Sequence, residues 1–277
     1  MTTIKMSPVL KWAGGKTQLL EQLTNRIPIK YNRYFEPFIG GGALWLSIAP
    51  EHAFINDTNE QLINLYMQLK NAPNDVINTI NKLDQNMCDS EYYYHIRNKY
   101  NEKISAHSLD AECAGMMIWI NKHCFNGLYR VNGKGLFNVP YNNKSNIKSF
   151  DENNIYAIAN HLQNSDTSIT CMDFEEICSN VQSGDFVYFD SPYVPVSSTS
   201  DFTDYTKDGF SEKDHRRLAA LFNELDKKGA LIMLSNNNVP FVHELYSRYN
   251  ISEINVKRMI NSNAAKRTGE EVIITNY

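Results

Sequence analysis

Phe186-Val187-Tyr188-Phe189-Asp190-Ser191-Pro192-Tyr193 is the stretch from which the rest of the chain can be read. Its first four residues are β-branched or aromatic and predict a short buried strand. The next four arrive at the carboxyl end of that strand. A carboxylate, a rigid proline turn and an exposed ring delivered together suit the holding of a planar heterocycle with an exocyclic amine. The carboxylate and a main-chain carbonyl accept from the amine while Tyr193 stacks on the ring. Such an amine is a poor nucleophile because its lone pair is delocalised, and two acceptors on its hydrogens favour the pyramidal, reactive form. A plainer reading has Asp190 capping a turn and Tyr193 covering the sheet edge. A second element is needed to separate the two.

That element lies upstream. Lys11-Trp12-Ala13-Gly14-Gly15-Lys16 and Phe35-Glu36-Pro37-Phe38-Ile39-Gly40-Gly41-Gly42-Ala43-Leu44 flank a first helix expected from Gln18 to Asn25. The second run is an apolar strand breaking into glycines and then a helix, a backbone that can approach a bound nucleoside closely because no Cβ intervenes. These runs, in this order with Asp190 to Tyr193, resemble the Dam/DpnM-type DNA adenine-N6 methyltransferases, which carry KWAGGK, FEPFxGGGA and D-P-P-Y motifs. The resemblance extends from Lys11 to Tyr277. It implies a Rossmann-like, doubly wound α/β sheet, S-adenosylmethionine (SAM) as methyl donor and co-substrate, double-stranded DNA as partner, and no metal. Asp190, Ser191, Pro192 and Tyr193 become the catalytic set. Ser191 departs from the family's first proline, which keeps the main-chain acceptor but frees one φ angle.

Composition fits an enzyme of this size. The 277 residues are 42% hydrophobic and 21% charged, ordinary for a soluble chain able to bury a sizeable core. With no apolar run of transmembrane length and no signal-peptide pattern, the expectation is a cytoplasmic protein used at the nucleoid, without membrane partners. Five cysteines without C-x-x-C spacing suggest neither a disulfide framework nor zinc. The net charge of −4 excludes a uniformly basic nucleic-acid binder, yet residues 91–148 carry eight Lys or Arg against four acids. A basic segment on an acidic body suits local phosphate contact, as would a solvated helical face.

By resemblance, Trp12, Lys16, Phe38, Gly40 and Gly42 line the cofactor pocket, Lys16 meeting the methionine carboxylate of SAM at a helix start. Lys11 reaches toward base edges. Ala53 to Asp57 predicts a second strand ending in an acid placed to accept ribose hydroxyls; capping of a helix over 58–70 is the alternative role for Asp57. Ser168 to Cys171 predicts another strand, followed by Asp173 and Phe174. The pair resembles the element that grips the adenine of SAM, although a helix cap would also place Asp173.

Residues 58–165 break the strand–helix alternation. Leu62, Leu65, Tyr66 and Leu69 recur at helical spacing, as do Val76, Ile77, Ile80 and Leu83. The chain therefore divides into a catalytic part, 1–57 with 166–277, and a mainly helical insert. Most of the insert's aromatics, Tyr92 to Tyr94 among them, belong to its core. Within it Asn132-Gly133 and Lys134-Gly135 predict a tight turn projecting a ribbon of about residues 125–141 toward a major groove. This ribbon resembles the family's target-recognition hairpin. Arg130 then reads guanine, Asn126, Leu128, Asn132 and Pro140 supply base or backbone contacts, and Phe125 fills the gap left by a flipped base. Relatives with this segment usually methylate GATC. Asn142 to Asn146 depart from the basic pattern common downstream of it.

Beyond Tyr193 a polar loop over 197–209, with Thr203, Tyr205 and Thr206, reads as a lid or substrate contact ordered by DNA. A helix capped by Ser211 follows, burying Leu218, Leu221, Phe222 and Leu225. A strand over 230–236 and a helix over 239–249 lead to an antiparallel pair, 251–256 with 272–275. Between them Asn261 to Gly269, with Lys266 and Arg267, suits phosphate contact or a plain surface loop. Three other functions compete: a catalytically silent SAM- and DNA-binding regulator, a SAM enzyme acting on RNA or on protein glutamine, and a nicotinamide oxidoreductase. The last needs G-x-G-x-x-G spacing, which Gly40-Gly41-Gly42 lacks. The sequence is silent on whether a restriction endonuclease of the same site is a partner.

Overall fold

The computed structural model of the protein describes residues 5–12, 14–16, 19–145, 147–196, 209–257 and 268–277. Among these residues the strands are β1 (Tyr34–Glu36), β2 (His52–Asn56), β3 (Asp166–Thr170), β4 (Phe186–Phe189), β5 (Leu231–Asn237), β6 (Asn250–Lys257) and β7 (Thr268–Thr275). They form one sheet in the order β3-β2-β1-β4-β5-β7-β6. β1 pairs in parallel with β2 and β4, as do β2 with β3 and β4 with β5. Only β7 runs antiparallel to its neighbours β5 and β6. The fold is therefore a doubly wound α/β sheet ending in an antiparallel pair, as expected.

Alternation along the strands decides what each face receives. All four residues of β4 are buried; Phe186 and Tyr188 enter one apolar cluster, Val187 and Phe189 the other. Tyr34 and Phe35 of β1 divide in the same way, as a two-residue side-chain period requires. A strand buried on both faces loses the polar positions of a one-sided sheet, which is why Phe-Val-Tyr-Phe is uninterrupted.

Helices α8 (Phe174–Cys178), α9 (Glu212–Lys227) and α10 (Pro240–Tyr246) supply the second cluster. The first receives α1 (Leu20–Thr24), α2 (Ala43–Ile48) and the long excursion between β2 and β3. That excursion comprises α3 (Glu60–Asn71), α4 (Pro73–Asp84), α5 (Ser90–Ser105), α6 (Ala111–His123) and α7 (Glu152–Asn164). Local caps set several starts: Asn59 opens α3, Asp110 opens α6, Asp151 opens α7, and Ser211 with Asp214 forms a capping box on α9. Residues 58–165 do not have a core of their own. Trp45 and Tyr34 share one continuous cluster with Leu65, Trp119 and Ile158.

Several boundaries differ from expectation for local reasons. α1 occupies only Leu20–Thr24. α10 stops at Tyr246, with Ser247 as its C-cap, instead of reaching 249. β3 begins at Asp166 and ends at Thr170, earlier than the apolar count suggests. Asp57 does not cap α3, because the side chain of Asn59 accepts from Gln61 N and Leu62 N. Ala13, Gln18, Asn146, residues 197–208 with Thr203, Tyr205 and Thr206, and residues 261–267 with Lys266 and Arg267 lie outside the described residues.

Candidate active site

The strand order reverses between β1 and β4, since β1 connects outward to β2 while β3 returns across it to β4. In open α/β sheets the crevice beyond the carboxyl ends at such a point is where ligands sit. Three predicted segments end there: Gly40-Gly41-Gly42 after β1, Asp57 after β2, and Asp190 after β4.

The glycine turn is built for close approach. Gly40 and Gly42 have φ of 47° and 68°, where side chains are strained. A Cβ on Gly42 would stand 2.7 Å from the Tyr66 hydroxyl, and one on Gly40 2.9 Å from Trp12 Cδ1. Tyr66 donates to Gly40 O at 2.9 Å. Asp57 completes the turn, accepting from Gly40 N at 3.2 Å and from Asn59 N at 3.0 Å. Burial raises its carboxyl to about 6, against the pull of those amides. Beneath lies Asn56, fully buried, donating to Pro37 O and Met172 O while accepting from Thr170 Oγ1 and Met172 N. One amide thus fastens the carboxyl ends of β1, β2 and β3.

At the end of β4, Asp190 Oδ1 receives two donors: Lys16 Nζ at 2.6 Å and Ser235 Oγ at 3.1 Å. Burial still raises the Asp190 carboxyl above its ordinary value, with Lys16 and Ser235 opposing. Lys16 also donates to Gly14 O and stands 4.5 Å from the centre of the Tyr193 ring. Tyr193 donates to Glu271 Oε2 at 3.0 Å, and Tyr188 pairs with Ser235 at 2.9 Å. Asn236 and Asn237 of β5 hold the next peptide, through Val194 N at 2.9 Å and Val194 O at 2.7 Å. Ser191 is buried, and its Oγ has no hydrogen-bond partner among the described residues. Lys16, expected to meet the carboxylate of SAM, is paired here with the carboxylate of Asp190.

The other predicted pocket residues gather around the start of α8. Phe174 is 3% accessible and packs in the second cluster, with Phe38 at 5.4 Å and Phe210 at 6.0 Å between ring centres. Asp173 caps α8 through Glu175 N and pairs with Arg217 at 2.8 Å. Phe38 is half-buried between Phe174, Phe189 and Phe210.

The predicted hairpin is present but thinly laddered. Bridges join Cys124 to Tyr141 and Val131 to Phe137. Its turn is closed by Asn132 Oδ1, which accepts from Lys134 N and Leu136 N, while Asn132 N donates to Leu136 O. Phe125, Asn126, Arg130, Asn132 and Pro140 are exposed and Leu128 is half-buried. Phe125 N donates to Pro140 O at 2.7 Å, so these two expected contacts lie together. Arg130 Nε donates to Asn138 Oδ1 at 2.8 Å, and Asn138 N returns a bond to Arg130 O at 3.1 Å.

The amino-terminal strap joins hairpin and pocket. Lys11 lies along Gly127, where an added Cβ would come within 2.6 Å of its chain. Trp12 stacks on Tyr129 at 4.9 Å while covering Gly40. Asn121 of α6 accepts from Lys11 N and donates to Lys11 O and Gly127 O. Sequence reasoning missed Asn121, Asn138, Ser235, Asn236, Glu271 and Tyr66. The polar Ser235-Asn236-Asn237 ending an apolar strand was the one signal that pointed toward any of them.

The family model described as D12 class N6 adenine-specific DNA methyltransferase matches residues 12–260. The chain is 43% identical over 278 residues to the Type II methyltransferase M1.LlaDCHI of Lactococcus lactis subsp. cremoris, covering 99% of this chain and 96% of that one. It is 40% identical over 292 residues to the Type II methyltransferase M.MjaIII of Methanocaldococcus jannaschii, covering 99% and 100%. With the DNA adenine methylase of Haemophilus influenzae the identity is 31% over 279 residues, covering 99% and 94%.

Proposed function

The chain belongs to the D12 class of N6 adenine-specific DNA methyltransferases, and from that premise we propose that it methylates N6 of an adenine flipped out of duplex DNA, within GATC, using SAM. The observation that carries the reading is that Asp190, at the carboxyl end of β4, and the Gly40–Gly42 turn, at the carboxyl end of β1, follow neighbouring parallel strands at the point where the sheet reverses. The chain's groups suit SAM in the donor set they offer: a carboxylate at the end of β2 for ribose hydroxyls and an ammonium from Lys16, beside a glycine turn on which Trp12 packs. Phe38 and Phe174 give the adenine side an aromatic floor, with Asp173 at its edge.

When bound, SAM supplies an electrophilic methyl group on a positively charged sulfur. The protein's part is to align the nucleophile. Asp190 accepts one N6 hydrogen, the main-chain carbonyl of Ser191 accepts the other, and Tyr193 stacks on the purine. The N6 lone pair then forms the new carbon–nitrogen bond as the carbon–sulfur bond breaks, and the electron pair leaves with a neutral thioether. N6 is left with one proton too many, and Asp190, hydrogen-bonded to it, receives that proton. Holding the reacting atoms about 3 to 3.5 Å apart and in line supplies much of the acceleration. Flipping costs roughly a few kcal/mol, offset by contacts of the hairpin and its neighbours with the groove and phosphates.

In this reading residues 1–57 and 166–277 are the SAM-binding catalytic part and 58–165 the recognition insert. Lys11, Phe125, Asn126, Leu128, Arg130, Asn132 and Pro140 face DNA. The protein works in the cytoplasm, at the nucleoid. The names of the Lactococcus and Methanocaldococcus relatives support pairing with a restriction endonuclease of the same site; the Haemophilus relative's name carries no such pairing. Tritium transfer from SAM to a GATC duplex, with none to a scrambled duplex, is the expected result. Protection of methylated plasmid from adenine-methylation-sensitive nucleases identifies the site. Binding of both ligands without transfer would leave a silent regulator in place of the enzyme.

A further inference from the structure

Lys16 stands where the target base has to go. Its ammonium takes Asp190 Oδ1 at 2.6 Å and lies 4.5 Å from the centre of the Tyr193 ring. These are the acceptor and the stacking face that the proposed reaction needs. Lys16 is 5% accessible, and the Asp190 side chain 19%. In so dry a setting, separating the pair without replacing either partner is strongly unfavourable. An incoming adenine offers a neutral amine to Asp190 but nothing to compensate Lys16. A second anion is required, and it has to reach the turn formed by Gly14 and Gly15, from which Lys16 extends.

We propose that Lys16 is a positioning residue that closes the base pocket until a carboxylate-bearing cofactor draws it off Asp190, so that cofactor binding precedes and licenses base insertion. This rests on the function proposed above and adds an order to it. The exchange is isoelectric: one carboxylate replaces another as the partner of Lys16, and the released Asp190 takes the amine. Because the coupling is an equilibrium quantity, insertion of the base also tightens cofactor binding by the same factor.

The test uses the full-length protein and a GATC duplex with 2-aminopurine at the target position, whose fluorescence rises when the base leaves the stack. Sinefungin, which keeps the amino-acid carboxylate, is compared with decarboxylated SAM, which lacks it. With the unaltered protein, sinefungin is expected to lower the enzyme concentration at half-maximal rise roughly tenfold, within the usual 5- to 150-fold range of coupling, and decarboxylated SAM to leave it unchanged. Lys16→Met gives the full rise with no cofactor, and Lys16→Arg restores the dependence. Calorimetric binding of sinefungin to each variant shows that it is folded. If Lys16→Met needs sinefungin as much as the unaltered protein does, or if both analogues act equally on the unaltered protein, the coupling is overturned. No rise with the unaltered protein under any condition overturns the flipping reading itself.

Discussion

Asp190 is held by Lys16 and Ser235, and Arg130 by Asn138. In the proposed reaction Asp190 works only as an ionised acceptor, and burial raises its carboxyl above the ordinary aspartate value. A raised acid is protonated first as pH falls, so single-turnover methylation should decline through a pH above the usual aspartate range. Lys16 holds that value down while the two are paired, so Lys16→Met should raise the Asp190 carboxyl of the cofactor-free protein, read by NMR titration. Asp190→Ala should lower single-turnover transfer about 10²- to 10⁴-fold while sinefungin still binds, the scale of losing a positioned proton acceptor; unchanged turnover would remove the mechanism. Asp57 protonates near 6 because it is buried, so cofactor affinity measured by calorimetry should weaken below that pH and hold above it. At the hairpin, Asn138 holds the Nε edge of Arg130, which in the proposed reading leaves the terminal nitrogens of the fork for guanine. Asn138→Ala should therefore cut discrimination at that base pair by about 1–3 kcal/mol, the worth of a bidentate contact. Competition between GATC and singly altered duplexes reads it, with Arg130→Ala as the upper bound.

The elements that matter most are those that join distant parts. Lys11, Trp12 and Lys16 reach the hairpin, the glycine turn and Asp190 respectively. Asn121 of α6 fastens Lys11 with two hydrogen bonds and Gly127 with a third. Asn121→Ala should lower stability by about 1–3 kcal/mol, the cost of a buried group left unpaired. It should also weaken DNA binding while sparing sinefungin, as denaturant titration and calorimetry would show; equal losses of both ligands would deny the strap its separate role. β4, the glycine turn and the stripe of α9 were readable in the sequence because each is a local pattern of period or residue type. The strap's partners were not. Lys16 meets Asp190, Asp190 meets Ser235 across 45 residues, and Arg217 reaches Asp173 across 44. Such contacts follow from strand order, which no local spacing encodes. For the same reason a helix cap explains Asp173 nearly as well as a ligand role from sequence alone, its place one strand before β4 favouring the ligand role, while the ion pair with Arg217 is visible only in the fold.

Across the whole molecule, apolar packing and charge divide the chain differently. The first apolar cluster runs without a break from the sheet into α3 to α7, so those helices cover one sheet face as well as carrying the hairpin. Charge separates what packing joins: residues 91–148 hold an excess of four positive charges in a chain of net charge −4. An acidic body repels the duplex, so phosphate contact should concentrate on the insert. Each phosphate neutralised contributes about −0.9 to the slope of log K against log salt. Lys134 and Lys144 are exposed on the insert, and Lys213 and Lys227 are exposed on α9. Lys134→Ala and Lys144→Ala should each reduce the slope by about 1 and weaken GATC and non-specific duplexes alike. Lys213→Ala and Lys227→Ala should leave it unchanged. Fluorescence anisotropy between about 50 and 200 mM salt spans the range where such contacts are lost. A slope altered by the α9 lysines and not by those of the insert would place the duplex on the opposite face, and would take the hairpin's role in reading DNA with it.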